Sequence, residues 1–255
     1  MAWLCLGCYN GHMQILRREL KSPKALVFLD FEATAYTAEM IEFGAAIALL
    51  NKNDSYVPLP GTFKRYVTAR HEIGRVVKKL TGIDEELLQK EGRPFGEVLA
   101  DFRKYVGRYW EDARFVLFGD YDIRILQKTA ELHKDCEISY IRQIQRNHYD
   151  FQRFIGRYIQ DQNGNPLSLE HDLEVFSLDF KGHEHDAADD ARNLMLLLLA
   201  VEEHPEILKE RYPNVLRNLA SKKIGKPVAC LIEKLSSGED VSAKEWQNWL
   251  EDYFS

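Results

Sequence analysis

Hydrophobic positions along the chain fall into short unbroken runs and longer periodic stretches, with turn-forming residues between them. Ala25 to Leu29 is unbroken, which predicts a strand buried on both faces, and it stops at Asp30-Phe31-Glu32-Ala33-Thr34. Residues 40–50 read as a second strand. After the turn-rich residues 51–60, residues 62–68 return as a third, giving an antiparallel meander. Thr81-Gly82-Ile83-Asp84 marks a turn into a short helix, and from Phe95 onward Val98, Leu99, Phe102, Tyr105 and Val106 recur at helical spacing. Phe115-Val116-Leu117-Phe118 is a second all-apolar strand; it ends in Gly119-Asp120-Tyr121-Asp122, and a helix follows over about residues 123–133. A fifth short strand is expected over 136–141 and a helix over 150–159, while 167–180 fits either a short helix or an extended piece. The acid-rich residues 183–193 run into the apolar 194–201, the pattern of a helix start.

Beyond Glu202 the pattern stays helical. Pro227 begins a segment with Val228, Leu231, Ile232 and Leu235 along one side, and Ser242-Ala243-Lys244-Glu245 matches a capping box. The helix it opens carries Trp246, Trp249, Leu250, Tyr253 and Phe254 in one stripe. Docked core is the first reading of that stripe; a surface for self-association or a protein partner is the second. Lys222, Lys223 and Lys226 read as a solvated charge run or, alternatively, a phosphate grip.

Composition narrows the class. At 255 residues, 45% hydrophobic and 29% charged, the chain can bury a sizeable core. Its formal charge of -6 argues against a broad basic footprint for duplex DNA, yet catalytic acids contribute to that deficit, so a nucleic-acid substrate stays open. Cys5, Cys8, Cys136 and Cys230 are too few and scattered for a disulfide scaffold; with no signal-peptide pattern and no long apolar run, a cytoplasmic location is expected. Residues 1–22 are expected to be a poorly ordered lead-in, Cys5, Cys8 and His12 lacking a second ligand pair at zinc-finger spacing. Residues 23–204 then form the main α/β domain, and 205–255 a helical extension packed on or beside it.

The candidate chemistry is acidic. Strand side chains alternate, so Asp30 and Glu32 project together while Phe31 turns to the core. Two adjacent anions repel unless protons or cations occupy the gap, and oxygen-only ligands suit Mg²⁺ or Mn²⁺. The second core strand also ends in carboxylate, at Asp120 and Asp122, and ligand sites in open sheets lie at such carboxyl ends. On the acid-rich helix, Asp186 and Asp190 share a face and His185 lies about a turn and a half from Asp190, so spacing alone leaves the metal-binding acid open. A serine nucleophile elbow, a Walker loop and a G-x-G-x-x-G turn are absent from the sequence.

Taken together, Leu29-Asp30-Phe31-Glu32-Ala33-Thr34, Gly119-Asp120-Tyr121-Asp122 and His185-x-Ala187-x-Asp189-Asp190-Ala191-x-Asn193 resemble the three motifs of the DEDDh 3′-to-5′ exonucleases, in the ribonuclease H-like superfamily. Thr81-Gly82-Ile83 adds to the likeness, which runs from about residue 25 to 199. The resemblance implies a mixed five-stranded sheet flanked by helices. It implies that Asp30, Glu32, Asp122 and Asp190 bind two Mg²⁺ or Mn²⁺ ions, with Asp30 bridging, Glu32 and Asp190 completing one site and Asp122 holding the other. His185 would deprotonate the attacking water, so activity should rise through about pH 6 to 8. His183 and Asp120 fall outside the match.

The implied activity is hydrolysis of single-stranded nucleic acid from its 3′ end, releasing nucleoside 5′-monophosphates. Asp-Phe-Glu-Ala-Thr is most similar to the RNA-directed branch, which includes the histone-mRNA exonuclease and KapD proteins; proofreading DNA exonucleases more often read Asp-Thr-Glu-Thr. RNA is therefore the expected substrate, with a DNA-directed enzyme or a non-catalytic nucleic-acid-binding protein as alternatives. The backbone at Ala33 and Thr34 would face the terminal ribose, and Tyr36 would stack on a base.

Overall fold

The two longest strands of the computed structural model, which describes residues 13–254, are β1 (Ala25–Ala33) and β2 (Met40–Leu50). They pair antiparallel over their length, from Ala25 opposite Leu49 to Glu32 opposite Glu42. An irregularity between Glu32 and Ala33 ends the regular ladder there and opens the 34–39 loop. Two short strands, β3 (Tyr56–Pro58) and β4 (Phe63–Tyr66), line the other edge of β2 in succession. On the far side of β1, β5 (Ala113–Leu117) and then β6 (His148–Asp150) add in parallel. The sheet is thus mixed and six-stranded, in the order β3-β2-β1-β5-β6 with β4 also on β2.

Helices occupy the connections of this first unit, which comprises the chain up to Gln152 together with Leu169–Glu203. They are α1 (Gln14–Leu20), α2 (Arg75–Thr81), α3 (Glu85–Glu91), α4 (Phe95–Val106), α5 (Tyr121–His133) and α6 (Ile138–Arg146). The short α7 (Phe151–Ile155) leaves the unit; α8 (Leu169–Val175) and α9 (Ala187–Glu203) belong to it. The expected turn at residues 81–84 is present: Gly82 adopts φ 72° after α2, and the Asp84 side chain caps α3 by accepting the Leu87 N–H at 2.8 Å.

Alternation in β1 explains the layering. Val27, Leu29 and Phe31 face a core shared with Phe95, Val98, Leu99 and Phe102 of α4, where Phe43 packs on Phe31 and Phe102 at ring-centroid distances of 4.6 and 4.5 Å. The opposite face of β1, carrying Leu26, Phe28, Asp30 and Glu32, meets α9. On that side β2 presents only Gly44, Ala46 and Ala48 after Glu42. At Gly44 the helix comes so close that a Cβ would lie 2.0 Å from the Ala187 carbonyl.

Four expectations are corrected. The sheet has six strands, because residues 56–58, read as turn, pair with the end of β2. The strand expected over 136–141 is displaced to His148–Asp150; Ile141 and Ile144 recur at helical spacing and are buried, so that stretch becomes α6. The supposed lead-in is helical over Gln14–Leu20, anchored by buried Leu16 and Leu20 and by an Arg17–Glu202 ion pair; Cys5, Cys8 and His12 lie outside the described residues. The ambiguous 167–180 stretch contains α8.

The second unit is Arg153–Ser168 with the chain from His204 onward: α10 (Pro205–Leu219), α11 (Lys226–Ser236) and α12 (Ala243–Phe254). Its capping box forms as read, Ser242 N–H donating to Glu245 Oε2 at 3.0 Å and Glu245 N–H to Ser242 Oγ at 3.2 Å. The aromatic stripe is the fourth correction: α12 buries none of its residues, and Phe254 is 81% exposed. Lys222 bonds the Asn163 carbonyl at 2.6 Å. Among the described residues no helix is long and apolar enough to cross a membrane.

Candidate active site

Asp30 and Glu32 sit near the end of β1, beyond Phe28, the last residue that pairs with β5, so that edge no longer demands apolar side chains. Asp122 comes from the first turn of α5, directly after parallel β5. It is buried, and its Oδ1 accepts the Phe31 N–H at 3.1 Å, a bond that fixes α5 onto β1 between the two acids. Asp190, in the first turn of α9, arrives from the third direction, and its Oδ2 accepts the His185 N–H at 3.1 Å. Glu32, His185 and Asp190 bring ligand atoms within 4.8 Å of one another, with His185 Nδ1 3.9 Å from Glu32 Oε1. Glu32, His185 and Asp190 thus meet directly, and Asp122 reaches β1 at Phe31, between Asp30 and Glu32. Of the two residues outside the match, Asp120 precedes α5 and the His183 N–H bonds Asp189.

The electrostatics are those of anions lacking countercharge. Burial, then Asp122, Asp190 and Glu32 as neighbours, pushes the Asp30 carboxyl well above the usual range. Burial followed by Asp190 and Glu42 carries Glu32 to about 8. Asp122 and Asp190 reach about 7, chiefly through burial, against the pull of the bonds from Phe31 and His185. Four carboxylates that resist ionising together fit divalent cations: hard oxygen donors, excess negative charge, and an imidazole at the rim.

The loop after β1 is preorganised. Thr34 is buried, its N–H donates to the Glu39 carbonyl at 2.8 Å, and its hydroxyl accepts the Glu39 N–H at 3.1 Å. Its N–H is thus spent inside the loop; Ala33 stays half-buried and Tyr36, at the tip, is 88% exposed. Glu39 clamps the loop base by accepting the N–H groups of Arg70 and His71 and bonding His71 Nδ1 and His133 Nε2, each at 2.8 Å. Burial opposes its ionisation, but these bonds outweigh it and hold the carboxyl below its usual range.

Sequence reasoning missed Glu42, Lys64 and Gly44. Glu42 lies directly opposite Glu32 and is lifted to about 6 by burial, against its Lys64 partner. An acid inside the apolar run Ile41-Glu42-Phe43 was the available signal. Burial works against the Lys64 ammonium, yet Asp186 and Glu42 hold it above its usual range. Asp186 is a cap, its Oδ1 accepting the N–H groups of Ala188 and Asp189 at 3.1 and 3.2 Å. That capping role separates Asp186 from Asp190, two residues that spacing left equivalent.

A mixed sheet of this order, with acids at the carboxyl ends of β1 and β5 facing a third on α9, is the ribonuclease H-like fold of hydrolytic nucleases. Within that class the chain belongs to the RNase T exonuclease family, whose model matches residues 27–198, and its motifs are of the DEDDh kind. A comparison with curated proteins by sequence finds no match. Among solved structures, the nuclease domain of 3′hExo bound to rAMP is similar at 19% identity and TM-score 0.57, over 70% of this chain and 92% of that one. Cell-death related nuclease 4 gives 22% and 0.56, over 71% of this chain and 64% of the other. E. coli exonuclease I in complex with a dA16 oligonucleotide gives 12% and 0.56, over 78% and 45%. At these identities the likeness concerns the fold.

Proposed function

We propose that this exonuclease removes nucleotides from the 3′ end of single-stranded RNA, releasing nucleoside 5′-monophosphates. The observation that supports the reading is the meeting of Glu32, His185 and Asp190, with Asp122 tied to the Phe31 amide between Asp30 and Glu32. The four acids would hold two Mg²⁺ or Mn²⁺ ions; bound there, such ions supply an activated water and neutralise charge on the reacting phosphate. His185, half-exposed at the rim beside Glu32, takes the proton of the attacking water and gives it up to solvent. Ala33 and the closed loop begun by Thr34 face the terminal ribose, and Tyr36 offers an exposed ring to a base.

Preference for RNA rests on the Asp30-Phe31-Glu32-Ala33-Thr34 motif and its similarity to the RNA-directed branch. A DNA-directed exonuclease is the alternative, since exonuclease I with dA16 has the same fold. A 3′-labelled RNA and a DNA of the same sequence, each with and without chelator, test both points. Chelator-sensitive release of 5′-monophosphates, faster from RNA, is expected; equal rates remove the RNA preference, and activity that survives chelation removes the metal assignment. The open aromatic face of α12, with Tyr253 and Phe254, supports a further role in self-association or partner binding. Sedimentation of Phe254→Asp against the wild type tests it.

A further inference from the structure

Lys64, in β4, belongs to none of the exonuclease motifs, yet it reaches the turn that carries His185. Its Nζ donates to Asp186 Oδ2 and lies 2.8 Å from Glu42 Oε1 as an ion pair. Glu42 is almost fully buried and is the cross-strand partner of Glu32. Asp186 holds α9 with one carboxylate oxygen and Lys64 with the other. A single ammonium therefore ties the cap of α9 to the strand that backs the acids.

The adjacent residue needs such a tie. His185 adopts φ 62°, a left-handed conformation that is strained for a non-glycine residue and persists only where neighbours over-determine it. Three restraints surround it: its own N–H on Asp190, the close seat of Ala187 on Gly44, and the Lys64–Asp186 pair. The first two fix the helix start. The turn is closed locally by the Asp186 N–H on the His183 carbonyl and the His183 N–H on Asp189, and the Lys64–Asp186 pair adds a tie to the sheet, behind the imidazole that faces Glu32.

We infer that Lys64 is a positioning residue for the hydrolysis, acting through Asp186 to hold His185 in its working orientation. This rests on the proposed role of His185 as proton acceptor. Removing the ammonium leaves Asp186 free to cap without being anchored, so the turn gains freedom while the acid cluster on β1 and α5 stays in place.

The test combines steady-state hydrolysis of 3′-labelled RNA in Mn²⁺ with amide hydrogen exchange, on Lys64→Met, Lys64→Arg, His185→Ala and the Lys64→Met/His185→Ala double variant. Lys64→Met is expected to lower kcat about tenfold or more with KM changed less than about twofold, as for a misdirected reacting group. Lys64→Arg restores most of the loss. In the His185→Ala background Lys64→Met should change the rate less than about twofold, because the two residues act in one chain. Exchange should quicken over 184–190 and stay unchanged in β1 and β5. Equal losses in both backgrounds, an unchanged kcat, or unchanged exchange over the turn would each overturn the inference. Absence of hydrolysis by the wild type would instead remove the reading of His185, leaving exchange to decide the tether. If Lys64→Met does not fold, Asp186→Asn breaks the same pair from its other end and is held to the same pattern.

Discussion

At the scale of single residues, the five candidate residues are held in place by a small number of specific bonds. Asp122 is tethered by the Phe31 amide and Asp190 by that of His185, so both carboxylates are oriented before any cation arrives. Asp30 is the acid most surrounded by others, and Asp30→Asn is expected to abolish Mn²⁺-dependent hydrolysis while raising the melting temperature of the metal-free protein. Hydrolysis at wild-type rate, or a lower melting temperature without metal, would count against its place in the site. Asp172, on α8, is a buried acid outside the candidate site. It is 1% exposed, neither of its side-chain oxygens finds a hydrogen-bond partner among the described residues, and burial lifts its carboxyl to about 7. A raised carboxyl pKa means that ionisation favours the unfolded chain, so the penalty is absent below about pH 4 and grows as pH rises towards 7 and beyond. Asp172→Asn should therefore stabilise the protein more at pH 8 than at pH 5, by about 1–3 kcal/mol, given about 1.4 kcal/mol per pKa unit. Calorimetry at both pH values checks this, and equal gains would contradict it.

At the scale of elements, small residues decide how closely the third acid approaches. Gly44 on β2 and Ala187, Ala188 and Ala191 on α9 form an interface without bulky side chains, and this brings the first turn of α9 down onto the sheet beside Glu32. Gly44→Ala would place a methyl inside the Ala187 carbonyl, so α9 must lift. A destabilisation of ~1–3 kcal/mol is expected, as for other overpacked interiors. Activity should fall by more than lost folding accounts for, because His185 and Asp190 move with the helix; a destabilised but fully active folded fraction would refute this. The expected strand over 136–141 gives way to a helix for a reason of the same kind. Ile138, Ile141 and Ile144 satisfy a helical period, whereas His148-Tyr149-Asp150 is too short to show a strand period and exists because β5 offers an open parallel edge.

At the scale of the whole molecule, the formal charge of -6 includes acids that the fold forces together. Asp30, Glu32, Asp122 and Asp190 all have raised pKa values, so without metal the folded state binds protons that the unfolded chain releases. Metal-free stability should fall as pH rises from about 4 through about 8, and saturating Mn²⁺ should restore it, by about 2.7 kcal/mol at a hundredfold excess over Kd. Thermal melts at pH 5 and pH 8 with and without Mn²⁺ measure the effect; equal Mn²⁺ stabilisation at both values would argue against these acids as its ligands. Truncation after residue 225 removes α11 and α12, whose described side chains are almost all unburied, and is expected to leave hydrolysis and the first unit's melting intact. Loss of both would make those helices part of the enzyme's core.

How much of this was legible in sequence depends on range. Runs and periods along the chain determined the main strands and helices, the turn into α3, the capping box of α12 and the two strands that end in carboxylate, because strand alternation, helical period and capping chemistry are local properties; the choice of Asp190 and His185 came from likeness to the exonuclease motifs. Only the tertiary structure decided that β3 and β6 pair, that α12 keeps its aromatic side chains unburied, that Asp186 caps while Asp190 faces Glu32, and that Glu42 and Lys64 stand behind the site. Each of those outcomes depends on which surface a distant segment offers, and a one-dimensional pattern records what a residue is before it records what lies across from it.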